Sequence, residues 1–402
     1  MLEVLVTAVD VILAAILSYG IWRFSGSILL NVIVAIIFAA AIFTHYKSAK
    51  AKGIDFLKDT FAIREASGRI CMYDYLRVLA VLMVIGIHVF KTDFSDGLIQ
   101  NVKICNIQQS LEIWFESTNV IFVMLSGAFL LKYKEESLGH FFKRRFSKVL
   151  IPMVVYYLFY VWITQIITDF SVDSLRYVLL NFITANNPSF PHFWFMYMLL
   201  SVYIAIPFLR YMLKDMPYEK LTWLVVLTIV FSVIQVIVPA IWGLKIGISF
   251  VFVSWVGIAI IGYWITREET AAYYKPIIMA GLIAFIVAIW LVANNENYSL
   301  FTGNMSPIME LMGMGTFAIF LQWKKLFKKE PWIIRIASKY SYQIILIHWW
   351  TLMWITRGKL HIRVDSLHGF GMLVSILVTA LISLVAAIII DHMVTDVFLK
   401  KD

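Results

Sequence analysis

The chain has 402 residues and a net charge of +9, and its composition is strongly apolar. Hydrophobic residues make up 61% of it, charged residues only 15%, and the mean hydropathy is +0.83. A soluble domain carries about a quarter of charged residues, so this composition excludes an ordinary soluble protein and predicts a polytopic membrane protein.

Apolar segments of membrane-spanning length recur along the whole chain. A hydrocarbon core of ~30 Å needs about 20 helical residues. We therefore predict an all-α, polytopic transmembrane helix bundle with twelve spans, at 2–22, 27–44, 73–92, 111–131, 149–169, 193–212, 221–242, 246–264, 276–293, 305–323, 341–357 and 370–394.

The spans fall into two groups on either side of a charged linker. Residues 1–44 are predicted to form an accessory N-terminal hairpin, and residues 45–69 a cytoplasmic linker that is able to form an interfacial amphipathic helix. The remaining ten spans, in 70–396, are predicted to be the working domain.

The basic residues are distributed unevenly between the two sides of this topology. One side holds 25 of the Lys and Arg residues and the other eight. The positive-inside rule then predicts that both termini are cytoplasmic, which places Cys71 and Cys105 on opposite sides of the membrane. The basicity is explained by topology, so we expect no nucleic acid partner.

The third span carries two ionisable residues and is the most informative segment. Arg77 and His88 are eleven residues apart in YDYLRVLAVLMVIGIHVF, so they share one helix face about 16 Å apart along its axis. A charge deep in a span costs about 2.5–3.5 kcal/mol, which favours a polar cavity. Asp74, three residues before Arg77, is placed to pair with it. In one interpretation Arg77 anchors an anion and His88 is a general base. In the other, Arg77 extends its side chain to the headgroups and His88 bonds to a neighbouring helix.

Two further segments on the inner side are candidates for donor binding. Arg144, Arg145 and Lys148 form a basic run that suits phosphate, although it also suits a positive-inside flank. Ser126 and Gly127 remove side-chain bulk from their span. Small residues there favour close helix packing, or the approach of a ligand to the backbone.

Candidate acceptor residues lie toward the outer side. His192, Trp194 and Tyr197 suit a sugar-binding surface as well as an aromatic belt. His348 and Glu310 are intramembrane ionisable residues that need partners, either from packing or from a site shared with His88. The sequence has no HExxH, Walker or dinucleotide-binding motif, so we expect no metal.

In this order, these stretches resemble the acyltransferase-3 family of integral-membrane acyltransferases, which modify surface polysaccharides and peptidoglycan. The resemblance covers about 70–396 and leaves the first two spans outside. One departure is that Lys148 stands where the family commonly has a second Arg. The matching positions are Asp74, Arg77 and His88, Phe122 to Gly127, Arg145 with Pro152, His192 to Tyr197, and Ser341 to His348.

The resemblance implies a ten-helix bundle in the bacterial cytoplasmic membrane that takes an acyl group, acetyl in the first instance, from cytoplasmic acetyl-CoA. The acceptor is a hydroxyl of a cell-envelope glycan or lipid-linked saccharide. Arg77, Arg145 and Lys148 would hold the donor and His88 would be the base, with His348 and Tyr197 as further candidates. The alternative that the residues leave open is a secondary transporter or exporter of glycan or small polar solutes.

Overall fold

A computed structural model describes residues 1–25, 28–63, 70–97, 99, 102–164, 171–186, 190–244, 246–248, 250–294, 303–367 and 370–399. Throughout these residues the regular structure is helical, as the composition predicts. The helices are α1 (Leu2–Ser25), α2 (Ile28–Lys52), α3 (Ile54–Thr60), α4 (Cys71–Ser95), α5 (Val102–Phe115), α6 (Thr118–Leu130), α7 (Leu138–Ile163), α8 (Val172–Thr184), α9 (Trp194–Leu213), α10 (Tyr218–Trp242), α11 (Trp255–Ile265), α12 (Tyr274–Asn294), α13 (Pro307–Gln322), α14 (Trp332–Lys339), α15 (Ser341–Trp350), α16 (Gly371–Ile390) and α17 (Asp396–Phe398). Two π-helical turns, Thr351–Arg357 and Asp391–Thr395, follow α15 and α16.

Local sequence signals set several helix ends. The Ser137 hydroxyl accepts the His140 amide at 3.3 Å and begins α7. Ser306 caps α13 in the same way, and the proline that follows it occupies the first helical turn. Gly243, at φ 62°, ends α10 in the left-handed conformation that glycine adopts freely.

Nine helical segments in the described residues are long and apolar enough to cross a membrane. Those at the centre of the bundle are the most buried: 56% of the apolar stretch of α4 and of α9 is inside the protein. The equivalent fractions are 11% for α1 and 17% for α2. The N-terminal hairpin is therefore peripheral, and most of its apolar surface faces outward.

The other three expected spans are shorter than predicted. Span 246–264 is reduced to α11, which begins only at Trp255, and span 305–323 to the 16 residues of α13. Span 341–357 becomes α15 followed by a π-helical turn. In the described residues, nine of the twelve predicted spans are therefore full-length helices and three positions hold shorter apolar helices, because hydropathy alone does not show where a helix breaks.

The linker region also differs in detail. Helix α2 continues to Lys52, well past the predicted end at residue 44, and Gly53 (φ 57°) then turns the chain into α3. Residues 64–69 of the linker lie outside the described residues.

The amphipathic segment after α7 is a helix, α8, with no buried residue.

Helices α4 and α15 run side by side in the same direction. Arg77 of α4 donates to Ser338 Oγ (2.8 Å), just before α15. Farther along, the rings of His88 and His348 are 5.1 Å apart. The eleven residues from Arg77 to His88 thus run alongside the ten residues from Ser338 to His348, so the polar side chains of the two segments face each other at both levels.

Helix α7 lies parallel to the same pair. The Tyr342 hydroxyl donates to the Val149 carbonyl (2.9 Å), and the Trp350 amide donates to the Tyr160 hydroxyl (3.1 Å). Three helices, α4, α7 and α15, therefore lead from one end of the bundle to its interior. We call the end that carries Arg77 and Lys148 the basic end.

Candidate functional site

Three histidines from three elements meet inside the bundle. The ring of His348 lies 5.1 Å from His88 and 5.1 Å from His192. His348 and His192 are buried, whereas His88 is partly exposed. We call these residues the histidine cluster. Each was a candidate site residue from the sequence, but only the fold shows that they lie together.

Backbone carbonyls orient two of the three rings. His348 Nδ1 lies 2.6 Å from the Ile345 carbonyl, and His192 Nε2 lies 3.2 Å from the Leu346 carbonyl. A carbonyl only accepts, so each of these nitrogens must donate a proton. In the neutral ring the other nitrogen then keeps a free lone pair, and neither of these has a hydrogen-bond partner among the described residues.

His88 is the member of the cluster most accessible to a substrate. The described residues offer its ring nitrogens no hydrogen bond, and its backbone carbonyl accepts from Thr92 (2.6 Å). A ring that is partly exposed and unengaged is able to accept a proton from an incoming hydroxyl.

Two aromatic residues that the sequence did not single out complete the surroundings of the cluster. The Trp349 ring lies 5.2 Å from His88 and 6.2 Å from His192. The Tyr160 ring lies 5.3 Å from His192, and its hydroxyl accepts the Trp350 amide. Their aromatic character gave no signal, because this chain has many such residues.

Toward the basic end, Arg77 is held by a small polar network. Its guanidinium lies 3.3 Å from Asp74, as the spacing predicts, and donates to Ser338. Ser338 also donates to Asp74. The guanidinium carbon is 5.5 Å from the centre of the Phe129 ring. The charge of Arg77 is thus balanced and its side chain fixed in place.

Arg145 is placed differently. Among the described residues it has no carboxylate within ion-pair distance, and its Nε has no hydrogen-bond partner. The Tyr203 side chain lies near Arg145, Arg77 and Ser126. Tyr203 is therefore a neighbour of three residues that the sequence named separately, although no sequence signal pointed to Tyr203 itself.

Arg144, adjacent in sequence, belongs to a structural ion-pair network. It lies 2.9 Å from Glu136, which also pairs with Arg210 at 3.3 Å. Arg210 in turn donates to the Leu130 carbonyl (2.5 Å), tying α9 to the end of α6. The exposed Lys148 has no carboxylate partner within 4 Å in the described part of the chain.

A cavity of about 620 Å³ opens at the basic end. Its volume is typical of ligand sites. Its lining includes Asp59, Asp391 and Asp396, and five basic residues outnumber them. These are Lys52, Lys143, Arg144, Lys148 and Lys339.

Gly127 and Glu310 lie in helix contacts. A Cβ on Gly127 would be 1.8 Å from the Ala259 carbonyl oxygen, so close packing of α6 on α11 explains this glycine. Glu310 accepts a hydrogen bond from Ser232 of α10 (2.9 Å). Among the described residues, Glu310 forms no ion pair or hydrogen bond with His88 or His348. Direct bonds therefore do not link Glu310 to these two histidines.

Tyr197 and Trp194 lie on the first turn of α9. The Tyr197 hydroxyl donates to the Phe182 carbonyl (2.5 Å) and holds α8 against α9. Trp194 is 38% exposed and its ring lies 6.0 Å from that of Trp255.

A bundle of apolar helices that buries a histidine cluster and leads to a cationic cavity is an integral-membrane protein with a built-in polar site. The family model of the acyltransferase domain matches residues 73–392. The chain therefore belongs to the acyltransferase-3 family and is a membrane acyltransferase. The match begins after α1, α2 and α3. Comparisons with curated proteins and with solved structures gave no match.

Proposed function

We propose that the protein transfers an acyl group, acetyl in the first instance, from cytoplasmic acyl-CoA to a hydroxyl of a cell-envelope glycan or lipid-linked saccharide. The observation that carries this proposal is the parallel arrangement of α4, α7 and α15: α7 and α15 line the cationic cavity, and α4 and α15 carry His88 and His348 farther along. Along α15, His348 follows the cavity residue Gln343 by five residues, or about 7.5 Å of helix.

The donor enters at the basic end. CoA carries several phosphate charges, and Arg and Lys are the residues that bind such groups. Lys143 and Lys148 are exposed in the cavity wall. Because the Lys and Arg residues are concentrated on this side of the bundle, the proposal places this end in the cytoplasm.

The acyl thioester then extends toward Arg145 and Arg77. Arg77 is already paired with Asp74, so its side chain is fixed and lines the donor site without reaching out to bind the donor. Arg145 has the freer guanidinium and is the better partner for a phosphate or thioester oxygen. Tyr203 supplies a hydroxyl group near it.

At the histidine cluster, His88 takes the proton from the acceptor hydroxyl. The acceptor oxygen attacks the thioester carbonyl carbon, the carbon–sulfur bond breaks, and the proton is passed to the departing CoA thiolate. A positioned base of this kind contributes about 10²–10⁴-fold. His348 and His192, whose rings are oriented by backbone carbonyls, flank the reacting groups, and Trp194 offers an exposed ring to a sugar face.

The direct test is release of free CoA thiol from acetyl-CoA by the purified protein in the presence of an envelope saccharide extract. The proposal predicts release that depends on both substrates and is lost in His88→Ala. A secondary transporter would release no thiol, and that result would reject the proposed activity.

A further inference from the structure

Three polar side chains that the acyl-transfer path does not use meet at the periphery of the bundle. Asp10 of α1 accepts from His45 Nδ1 of α2 (2.8 Å) and from His392 Nε2, just after α16 (2.7 Å). Asp10 and His45 are fully buried. His392 is 382 residues from Asp10, so this contact joins the two ends of the chain.

This cluster is a specific docking contact for the hairpin. The hairpin has little buried apolar surface, and a charged carboxylate within a span costs about 2.5–3.5 kcal/mol. Two imidazole N–H groups satisfy both carboxylate oxygens only while the hairpin rests against the end of α16. A small apolar cluster of Val6, Ala49 and Phe56 lies beside it.

The ring geometry favours a hydrogen-bonded clamp over a metal site. The rings of His45 and His392 are stacked, with centroids 3.7 Å apart and planes inclined by 16°. A histidine ligand binds a metal through a lone pair in the plane of its ring. Two stacked, nearly parallel planes do not meet at a common ion 2.0–2.2 Å from each nitrogen, whereas each ring is well placed to reach a separate carboxylate oxygen.

The clamp is continuous with the wall of the basic cavity. Phe56 contacts both imidazole rings, at 5.6 and 6.2 Å, and also lines the cavity. Lys339, another cavity residue, donates to the carbonyls of Asp59 (2.5 Å) and Thr60 (2.9 Å), which ties α3 to α14. Four of the lining residues precede the matched family domain in the chain: Lys52, Phe56, Asp59 and Thr60.

We propose that the N-terminal hairpin completes the donor site: Asp10, His45 and His392 clamp it in place, and Lys52 and α3 then close the cavity around the phosphates of CoA. This inference rests on the proposed function, because it assigns the cavity to the donor. It gives the N-terminal hairpin and α3 a role in donor affinity, separate from the chemistry at His88.

The test uses the full chain in nanodiscs and two independent measurements. Calorimetry with CoA as the probe measures donor binding, and hydrogen exchange of Ile54–Thr60 measures docking of α3. His45→Phe and His392→Phe keep a ring but remove the hydrogen bond. We expect CoA binding weakened about five- to tenfold and faster exchange in both variants. Lys52→Ala should weaken CoA binding, because it removes a cation of the cavity wall. Val32→Phe, at a half-exposed position of the same hairpin, is the matched control and should change neither.

The outcomes separate this inference from the function on which it rests. If the parent binds CoA and the clamp variants bind it equally well, the hairpin is not part of the donor site and the inference is wrong. If the parent binds no CoA, the assignment of the cavity to the donor fails first, whatever the exchange data show. Stoichiometric zinc in the purified protein, lost in His45→Phe, would replace the hydrogen-bonded clamp with a metal site.

Discussion

His88 differs from its two neighbours in being partly exposed and without a hydrogen bond from the described residues, and the account gives it the proton-transfer step. We predict that His88→Ala retains CoA binding but lowers acyl transfer by about 10²-fold or more. Steady-state kinetics with acetyl-CoA measure this directly. Trp354→Ala, at an exposed position just beyond α15, is a control for solubilisation and folding. A folded His88→Ala protein with near-normal turnover would show that His88 is not the general base and has only a role in helix packing.

Arg144 and Arg145 are neighbours in sequence but are expected to respond differently to substitution. Arg145→Ala should raise the KM for acetyl-CoA about tenfold with little effect on kcat, because it removes a guanidinium that has no carboxylate partner among the described residues. Arg145→Lys should recover part of the loss, since a point charge replaces a planar fork.

Arg144→Ala should instead lower thermal stability, because Glu136 loses one of its two arginine partners. If both alanine variants keep the KM and the melting temperature of the parent, this basic run is only a topology flank.

At the scale of helices, the packing of α6 on α11 depends on two glycines. Gly262 meets the Met124 backbone in the same way as Gly127 meets Ala259, with a Cβ contact of 2.1 Å. Gly127→Ala should lower the thermal stability of the solubilised protein, because the two backbones must separate to admit a methyl group. Gly20→Ala, in a transmembrane helix with nothing within 4 Å, should be neutral or slightly stabilising. A Gly127→Ala protein as stable as the parent would contradict this packing.

Some of these features follow from the sequence and others do not. The uninterrupted apolar segment of α4 fixes the positions of Arg77 and His88 on one face, and the three-residue spacing predicts the Asp74 pair. The proximity of Tyr203 to Ser126 and the hydrogen bond of Arg77 to Ser338 depend on packing between distant segments. The latter pair is separated by 261 residues, and helical periodicity carries no information about such contacts. The short α11 was missed because its apolar flank continues beyond the helix.

For the whole molecule, the orientation in the membrane is a prediction from charge distribution. An impermeant thiol reagent applied to intact cells should label Cys105 and leave Cys71 unlabelled, because the basic end faces the cytoplasm. Permeabilised cells provide the control, in which Cys71 should become reactive. Labelling of Cys71 in intact cells would reverse the orientation and place the basic cavity on the wrong side for CoA.

The central claim is that this chain acylates a saccharide of the cell envelope through the path from the basic cavity to His88. The most direct measurement is mass analysis of envelope glycans and lipid-linked saccharides from cells that express the parent, His88→Ala or no protein. The account predicts that only cells with the parent contain a saccharide whose mass is increased by about 42 Da for each acetyl group. Identical glycans in all three cell types, with the parent inserted and folded, would contradict it.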